Sequence, residues 1–440
     1  MHPAVASSSS KSSLAIADSK ATFVSMAPAV AALTRPFFAG AGVLLFRCLL
    51  MLALCSAVLQ ITLAPALAQT ETVLYSFCQS SSNCSDGSIP YAGLTPDGRG
   101  NFYGTTFSGG RKTFGTVFEV SPNANGGWNE SVIHNFAEGP DGGFPIYSGV
   151  IFDTAGNLYG TTYIGGKYKQ GVVYELSPDG TNWKETILHT FTGGADGGRP
   201  EAGLVMDKSG NLYGVTIEGG SNNHGTIFEL SPSDGNWTEQ VLREPGTEHG
   251  ALTIDAEGNL YGITVNTVFQ LSADSKGVWK STTIHAFDGP SDGRDPQGTL
   301  VFDTSGNLYG TTYSGGVAQN GTVFKLTPDK KGAWTETILH SFQGGKEGDG
   351  SNPFAGILLD KAGNVYGTTI AGGEYEAGTV FELVAPIRTA GYTEKILWSF
   401  DKTDGFLPYG SLILDAAGNL YGTGAGGGVN DYGVVFEVTP

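Results

Sequence analysis

The 440-residue chain has little positive charge, with 24 Lys and Arg against 42 Asp and Glu and a formal net charge of −18. Nucleic-acid binding needs clustered basic residues to neutralise phosphates; no such cluster occurs, so that class is excluded. Cysteine is scarce, four in all. No stretch beyond residue 68 is long and apolar enough to span a bilayer, which takes about 20 residues. Nothing in the body of the chain has helical spacing of apolar residues. Catalytic signatures are missing as well: there is no G-x-S-x-G, no H-E-x-x-H, and no pair of carboxylates set apart from the rest. Gly165-Gly-Lys167 and Gly344-Gly-Lys346 lack the earlier glycine of a phosphate loop.

What is present first is a leader. Residues 1–36 are rich in Ala and Ser, Arg47 precedes an apolar run from Cys48 to Leu59, and Ala66-Leu67-Ala68 offers a small-x-small cleavage site before Gln69. This order of charged, apolar and small residues predicts a secretory signal peptide over residues 1–68, cleaved after Ala68. Its charged region is long, so Met26 is an alternative start. Arg47, Gln60 and Pro65 bracket too short a run for a membrane anchor, and Leu54 before Cys55 makes a poor lipoprotein site. Removing the leader takes away four basic residues and one acidic one and leaves about −21. That charge favours solubility and attracts cations.

The rest is a repeat. A Tyr-Gly pair recurs at Tyr103, Tyr159, Tyr213, Tyr261, Tyr309, Tyr366 and Tyr421, seven copies about 53 residues apart. Periods near this length mark solenoids, propellers or arrays. Within residues 298–342, four short runs rich in β-branched and aromatic residues are separated by Gly, Pro, Asn and Asp, which predicts four antiparallel strands. Four such strands make one propeller blade. The Asp-x-x-Gly-Asn turn recurs from Asp97 to Asp415. A glycine opens the first strand at Gly93, Gly149, Gly203, Gly298 and Gly356, where backbones would crowd an axis.

The ends of the chain choose between an open stack and a ring. The last copy stops at Pro440 after its third strand, and the missing fourth appears at the N-terminus as Glu71–Phe77. The expected fold is therefore all-β, a seven-bladed β-propeller over residues 69–440 closed by its N-terminal strand, with no open edge between first and last blades. Cys48 and Cys55 leave with the leader, and Cys78 and Cys84 are expected to form one structural disulfide beside the closing strand.

The signature Asp-x-x-Gly-Asn-Leu-Tyr-Gly-Thr-Thr, followed by Gly-Gly and Gly-Thr-Val-Phe-Glu-Leu, resembles the tandem repeat of the choice-of-anchor GloVer proteins over essentially the whole mature chain. The resemblance implies an exported bacterial protein with a repeat-built β fold, and no particular activity. Members commonly end in a surface-sorting segment, which is not seen before Pro440, so secretion, a periplasmic place and the cell surface all stay open. More loosely, Gly-Asn-Leu-Tyr is similar to the element of NHL-type and lactonase-like propellers, a likeness of fold.

Three sets of residues are candidates for chemistry. Asp86, Asp141, Asp196, Asp292, Asp349 and Asp404 recur in an Asp-Gly-x-x-Pro loop between blades. A ring of carboxylates on the loop face offers a calcium or cationic-ligand site, although Asp-Gly is also ordinary turn chemistry. His134, His189, His285 and His340 fall on fourth strands of different blades and are expected to be structural. The fourth copy lacks both face loops, which lowers one side of the face and leaves a notch beside Glu248 and His249. The sequence therefore favours a non-enzymatic, monomeric, exported propeller presenting its loop face to an extracellular polysaccharide or protein. A lyase or hydrolase at the channel mouth is the alternative, favoured if shifted carboxylates gather there. A calcium-stabilised structural ring is the third.

Overall fold

The computed structural model describes residues 69–79, 83–244, 248–345, 348–386 and 391–440, with Glu248 and His249 described by their backbones alone. The expected leader, its cleavage site and the start at Met26 lie outside the described residues.

Blade one shows how the repeat folds. Thr95–Pro96 is the inner strand, followed by Phe102–Thr106, Thr116–Pro122 and the outer strand Trp128–Asn135, each antiparallel to the one before. Six sheets follow, and all seven have this order from inside to outside. Blade four runs from Glu248–Ile254 to Trp279–Ala286, and blade five from Arg294–Phe302 to Trp334–Ser341. Blade seven is made from both ends of the chain: Thr70–Ser76 pairs with Val434–Thr439, from Thr70↔Thr439 to Ser76↔Val434. Across the next junction Thr423 Oγ1 donates to the Ala92 carbonyl at 2.8 Å. The chain is a closed seven-bladed propeller.

Two motif halves meet inside each blade. The ring of the Val-Phe aromatic lies over the Tyr-Gly glycine, so that a Cβ on Gly214 would stand 2.5 Å from Phe228 Cζ. Gly104 with Phe118 and Gly310 with Phe324 repeat the arrangement. The Tyr beside that glycine reaches the next blade instead: Tyr159 meets Trp237 edge-on at 6.2 Å, and Tyr261 meets Trp334 at 6.3 Å. Aromatic burial on both faces of each sheet drives the packing at roughly 25 cal/mol per Å². The Asp-x-x-Gly-Asn turn is pinned by its own carboxylate. Asp153 Oδ1 accepts from the N–H groups of Ala155 and Asn157, and Oδ2 accepts from Asn157 Nδ2 and the Tyr159 hydroxyl.

Neighbouring blades are also stitched by hydrogen bonds. The first Thr of Gly-Thr-Thr donates to a carbonyl just ahead of the inner strand of the next blade: Thr105 to Ser148, Thr161 to Ala202, Thr311 to Ala355 and Thr368 to Pro408. Cys78 and Cys84 form a disulfide directly after the closing strand.

Candidate functional site

The axis is built from glycine. Gly93, Gly149, Gly203, Gly250, Gly298, Gly356 and Gly410, one per blade, line a cavity of about 480 Å³. At most of them a side chain has no room, since a Cβ on Gly93 would stand 2.7 Å from the Ser411 carbonyl oxygen.

Two residues before each axial glycine, or one where the register shifts, the repeat stops repeating. The position three before the Leu, Val or Ile that opens the inner strand holds Tyr91, Tyr147, Glu201, His249, Gln297, Phe354 and Tyr409 in blades one to seven. Six of these border the axial cavity. The four aromatic residues belong to four consecutive blades around the ring, and their rings meet at the mouth. Tyr409 lies 5.0 Å from Phe354 and 5.4 Å from Tyr91, and Tyr147 lies 5.2 Å from Phe354. Burial among these rings raises the hydroxyl pKa of Tyr147 and Tyr409, so both are neutral phenols at ordinary pH. The remaining blades supply Glu201 and Gln297, with His249 at the matching register position.

A shallow cavity of about 310 Å³ opens over this mouth, lined by Tyr147, Tyr409, Phe354, Tyr313, Gln297 and Asp295 with Val265 and Ile370. Val265 belongs to the short hairpin of blade four that replaces the long loop of the other blades, and it is exposed. Val265 is the residue of that shortened blade that borders this cavity. Glu248 and His249 sit in the inner strand of blade four, with backbones paired to Thr264 and Ile263.

The loop aspartates are elsewhere. Each turns into the outer seam between two blades and caps its own turn. Asp86 Oδ2 accepts from Cys78 N–H, Asp141 Oδ2 from Ala137 N–H, and Asp196 Oδ2 from Thr192 N–H. Asp292 accepts from Asp288 and Gly289, Asp349 from Gln343, and Asp404 from Asp401. In each seam the Asp meets a side chain from the preceding outer strand: the Tyr75 hydroxyl at 2.9 Å, Trp398 Nε1 at 2.7 Å, or a histidine. A glutamate from the following blade completes the group. The sets are Tyr75–Asp86–Glu130, His134–Asp141–Glu185, His189–Asp196–Glu239, His285–Asp292–Glu336, His340–Asp349–Glu394 and Trp398–Asp404–Glu71.

These glutamates recur in the sequence two residues after the Trp or Tyr at the start of the outer strand in five copies, and the histidines, though far from one another, each stand in such a group. Burial, then the facing Asp, pushes Glu71, Glu130 and Glu185 up to about 8 and Glu239 and Glu336 to about 7, with Glu394 raised likewise. Burial also lowers His134, His189 and His285. Among the described residues every carboxyl group raised above its ordinary value stands at a seam.

Ring, axial cavity and loop-side mouth together define the class, a seven-bladed β-propeller whose channel mouth is aromatic on four consecutive blades and polar at Glu201 and Gln297. The chain belongs to the Gloeobacter/Verrucomicrobia repeat family, whose model matches residues 56–266 and 264–440. No curated protein matches the chain by sequence. Solved structures with the same fold include a streptogramin B lyase, 13% identical, TM-score 0.52, covering 84% of this chain and 97% of that one. A catalytically inactive virginiamycin B lyase from Staphylococcus aureus with quinupristin is also 13% identical, TM-score 0.53, covering 84% and 99%. At this identity the likeness is one of fold.

Proposed function

We propose that this protein is a non-enzymatic binding propeller, exported by its leader, that takes the end or a turn of an extracellular polysaccharide at the loop-side mouth. The observation that carries the reading is the axial position itself: seven modules share their motif residues, yet vary at this position, which borders the axial cavity. Four consecutive aromatic residues and a polar remainder form an amphipathic rim. Sugar rings have an apolar C–H face that stacks on aromatic rings and a hydroxyl edge that hydrogen-bonds to carboxylates, amides and phenols. With about −21 on the chain once the leader is removed and Asp295 in the cavity, a neutral or amino-bearing glycan is favoured over an anionic one.

The lyase or hydrolase reading has less support, because the carboxyl groups shifted by burial are at the outer seams. A screen of the full chain against neutral, cationic and acidic oligosaccharides, followed by calorimetry, tests the proposal. Tyr409→Ala and Tyr147→Ala should each weaken the best ligand about tenfold, given the roughly 1–2 kcal/mol of a stacked aromatic contact. Binding that ignores both substitutions, or turnover of the bound glycan, overturns it.

A further inference from the structure

The seams fall into two groups. In three of them the side chain from the outer strand is engaged by its aspartate, and only the glutamate Oε1 is left over. Tyr75 and Trp398 donate to Asp86 and Asp404, and His189 Nε2 is hydrogen-bonded with Asp196 Oδ2 at 3.3 Å. In the other three the histidine is unspent too. His134, His285 and His340 present Nε2 to Glu185, Glu336 and Glu394 at 3.4, 3.5 and 3.4 Å, yet both the ring nitrogen and the facing Oε1 are buried without a hydrogen-bond partner. Asp141, Asp292 and Asp349 close each group, so that one ligand atom from each of three residues lies within 4.8 Å of the others. Asp349 is 6% exposed and its Oδ1 also has no partner.

We propose that these three seams bind divalent transition-metal ions, with zinc as the reference ion and His340–Asp349–Glu394 as the strongest site. A ring nitrogen and a glutamate oxygen, both buried and unpartnered, beside an aspartate whose Oδ2 accepts a backbone N–H (and, in the third seam, lies 3.5 Å from His340 Nε2), are the arrangement of ligands facing a common point. A tetrahedral ion with bonds of about 2.0–2.1 Å sets its ligand atoms about 3.3–3.4 Å apart, close to the His–Glu separations here. One imidazole and two carboxylates carry −2, which a divalent ion neutralises. The donor set suits zinc and its neighbours, whereas calcium takes six to eight oxygens. Each triad draws ligands from two blades: His340 and Asp349 come from blade five and the loop after it, and Glu394 belongs to the outer strand of blade six. A bound ion would therefore clasp adjacent blades from outside the ring. It would be remote from the aromatic mouth and independent of the function proposed there.

The test is calorimetric titration of the full, chelator-stripped chain with zinc chloride, alongside the visible absorption of the cobalt(II) form. Uptake approaching three equivalents is expected, with a rise in melting temperature. His340→Gln and Glu394→Gln should each remove one equivalent, and His189→Gln, in a hydrogen-bonded seam, none. Should the His340 and Glu394 variants fail to fold, Glu336→Gln in the neighbouring seam must also remove one equivalent. No uptake by the stripped chain, or a stoichiometry that His340→Gln and Glu336→Gln leave unchanged, overturns the proposal and leaves the seams held by shared protons alone.

Discussion

The junction between blades three and four and that between blades five and six are built from the same repeat and held in different ways. At five–six, Thr311 donates to the Ala355 carbonyl at 3.1 Å and His340, Asp349 and Glu394 meet at the rim. At three–four, Val215 stands where Thr311 would, Arg243 where His340 would and Ser281 where Glu394 would, and the Asp-Gly-x-x-Pro loop is replaced by 244–250. Apolar contact holds that junction: Tyr213, Val215 and Ile227 pack on Leu252, Leu260 and Phe269, with the Arg243 guanidinium 4.5 Å over the Phe269 ring. Arg243 thus faces no acid pair at that junction, whereas a Tyr, Trp or His stands beside one at the other six.

The difference extends to the axis and gives the largest expected effect. Gly298 has φ +72°, and a Cβ there would stand 2.4 Å from the Ala355 carbonyl carbon and the Gly356 nitrogen. Gly203 has open space by comparison, with the Gly149 nitrogen nearest at 3.8 Å. Gly298→Ala should cost about 3 kcal/mol or more, because backbone must move and the φ is strained. Gly203→Ala should change stability by less than about 0.5 kcal/mol. Urea unfolding of both variants measures this, and equal losses would mean that the axis is as crowded at Gly203 as at Gly298.

Next comes the acid pair itself, best probed at Tyr75–Asp86–Glu130, between blades seven and one and outside the three metal candidates. Glu130 is raised from 4.5 to about 8 by burial and then by Asp86. The folded state therefore binds the proton more tightly than the unfolded one. The stability this confers is complete below about pH 4.5 and is lost as pH rises through about 8. Glu130→Gln keeps a hydrogen-bonding side chain and cannot ionise. Its melting temperature should match the parent near pH 4.5 and exceed it increasingly up to pH 8–9. A difference that does not vary with pH would show that Glu130 titrates alike in the folded and unfolded states and that the seam does not hold its proton.

How much of this is legible in the sequence follows from which residues repeat. The blade, its strand order and the ring closure are readable, because Tyr-Gly, Val-Phe and the orphan strand Glu71–Phe77 recur at fixed spacing, and the pairing of Thr70 with Thr439 closes the circle as that spacing requires. The lowered rim at blade four is readable as a missing loop. The seam groups are not, because Asp349, His340 and Glu394 come from three separate parts of two copies and meet only when blades are stacked. The loop aspartates look like a face ring, but backbone N–H groups of their own turns draw them into the seams. The mouth is hidden for the opposite reason. Tyr91, Tyr147, Glu201, Gln297, Phe354 and Tyr409 are the column that does not repeat, and a search for recurrence passes over it.

A smaller contrast, between blade two and the other six, sharpens the account of the Tyr-Gly and Val-Phe pairing. Six blades place Phe over the glycine, at Phe118, Phe228, Phe269, Phe324, Phe381 and Phe436, whereas blade two places Tyr174 over Gly160. The Tyr174 hydroxyl is fully buried without a hydrogen-bond partner, and Gly160 leaves no room for a Cβ beside it. A hydroxyl stripped of water and left unpaired is a net loss, so Tyr174→Phe should stabilise the fold by about 1 kcal/mol. Phe228→Tyr, which installs the same hydroxyl in blade three, should destabilise it by about 1–3 kcal/mol. Opposite signs in thermal melts of the two variants would mean that the glycine seat is shaped for an apolar ring in every blade. A loss of stability in Tyr174→Phe would instead mean that the Tyr174 hydroxyl has a bound water as its partner, and that blade two has adapted its seat to hold it.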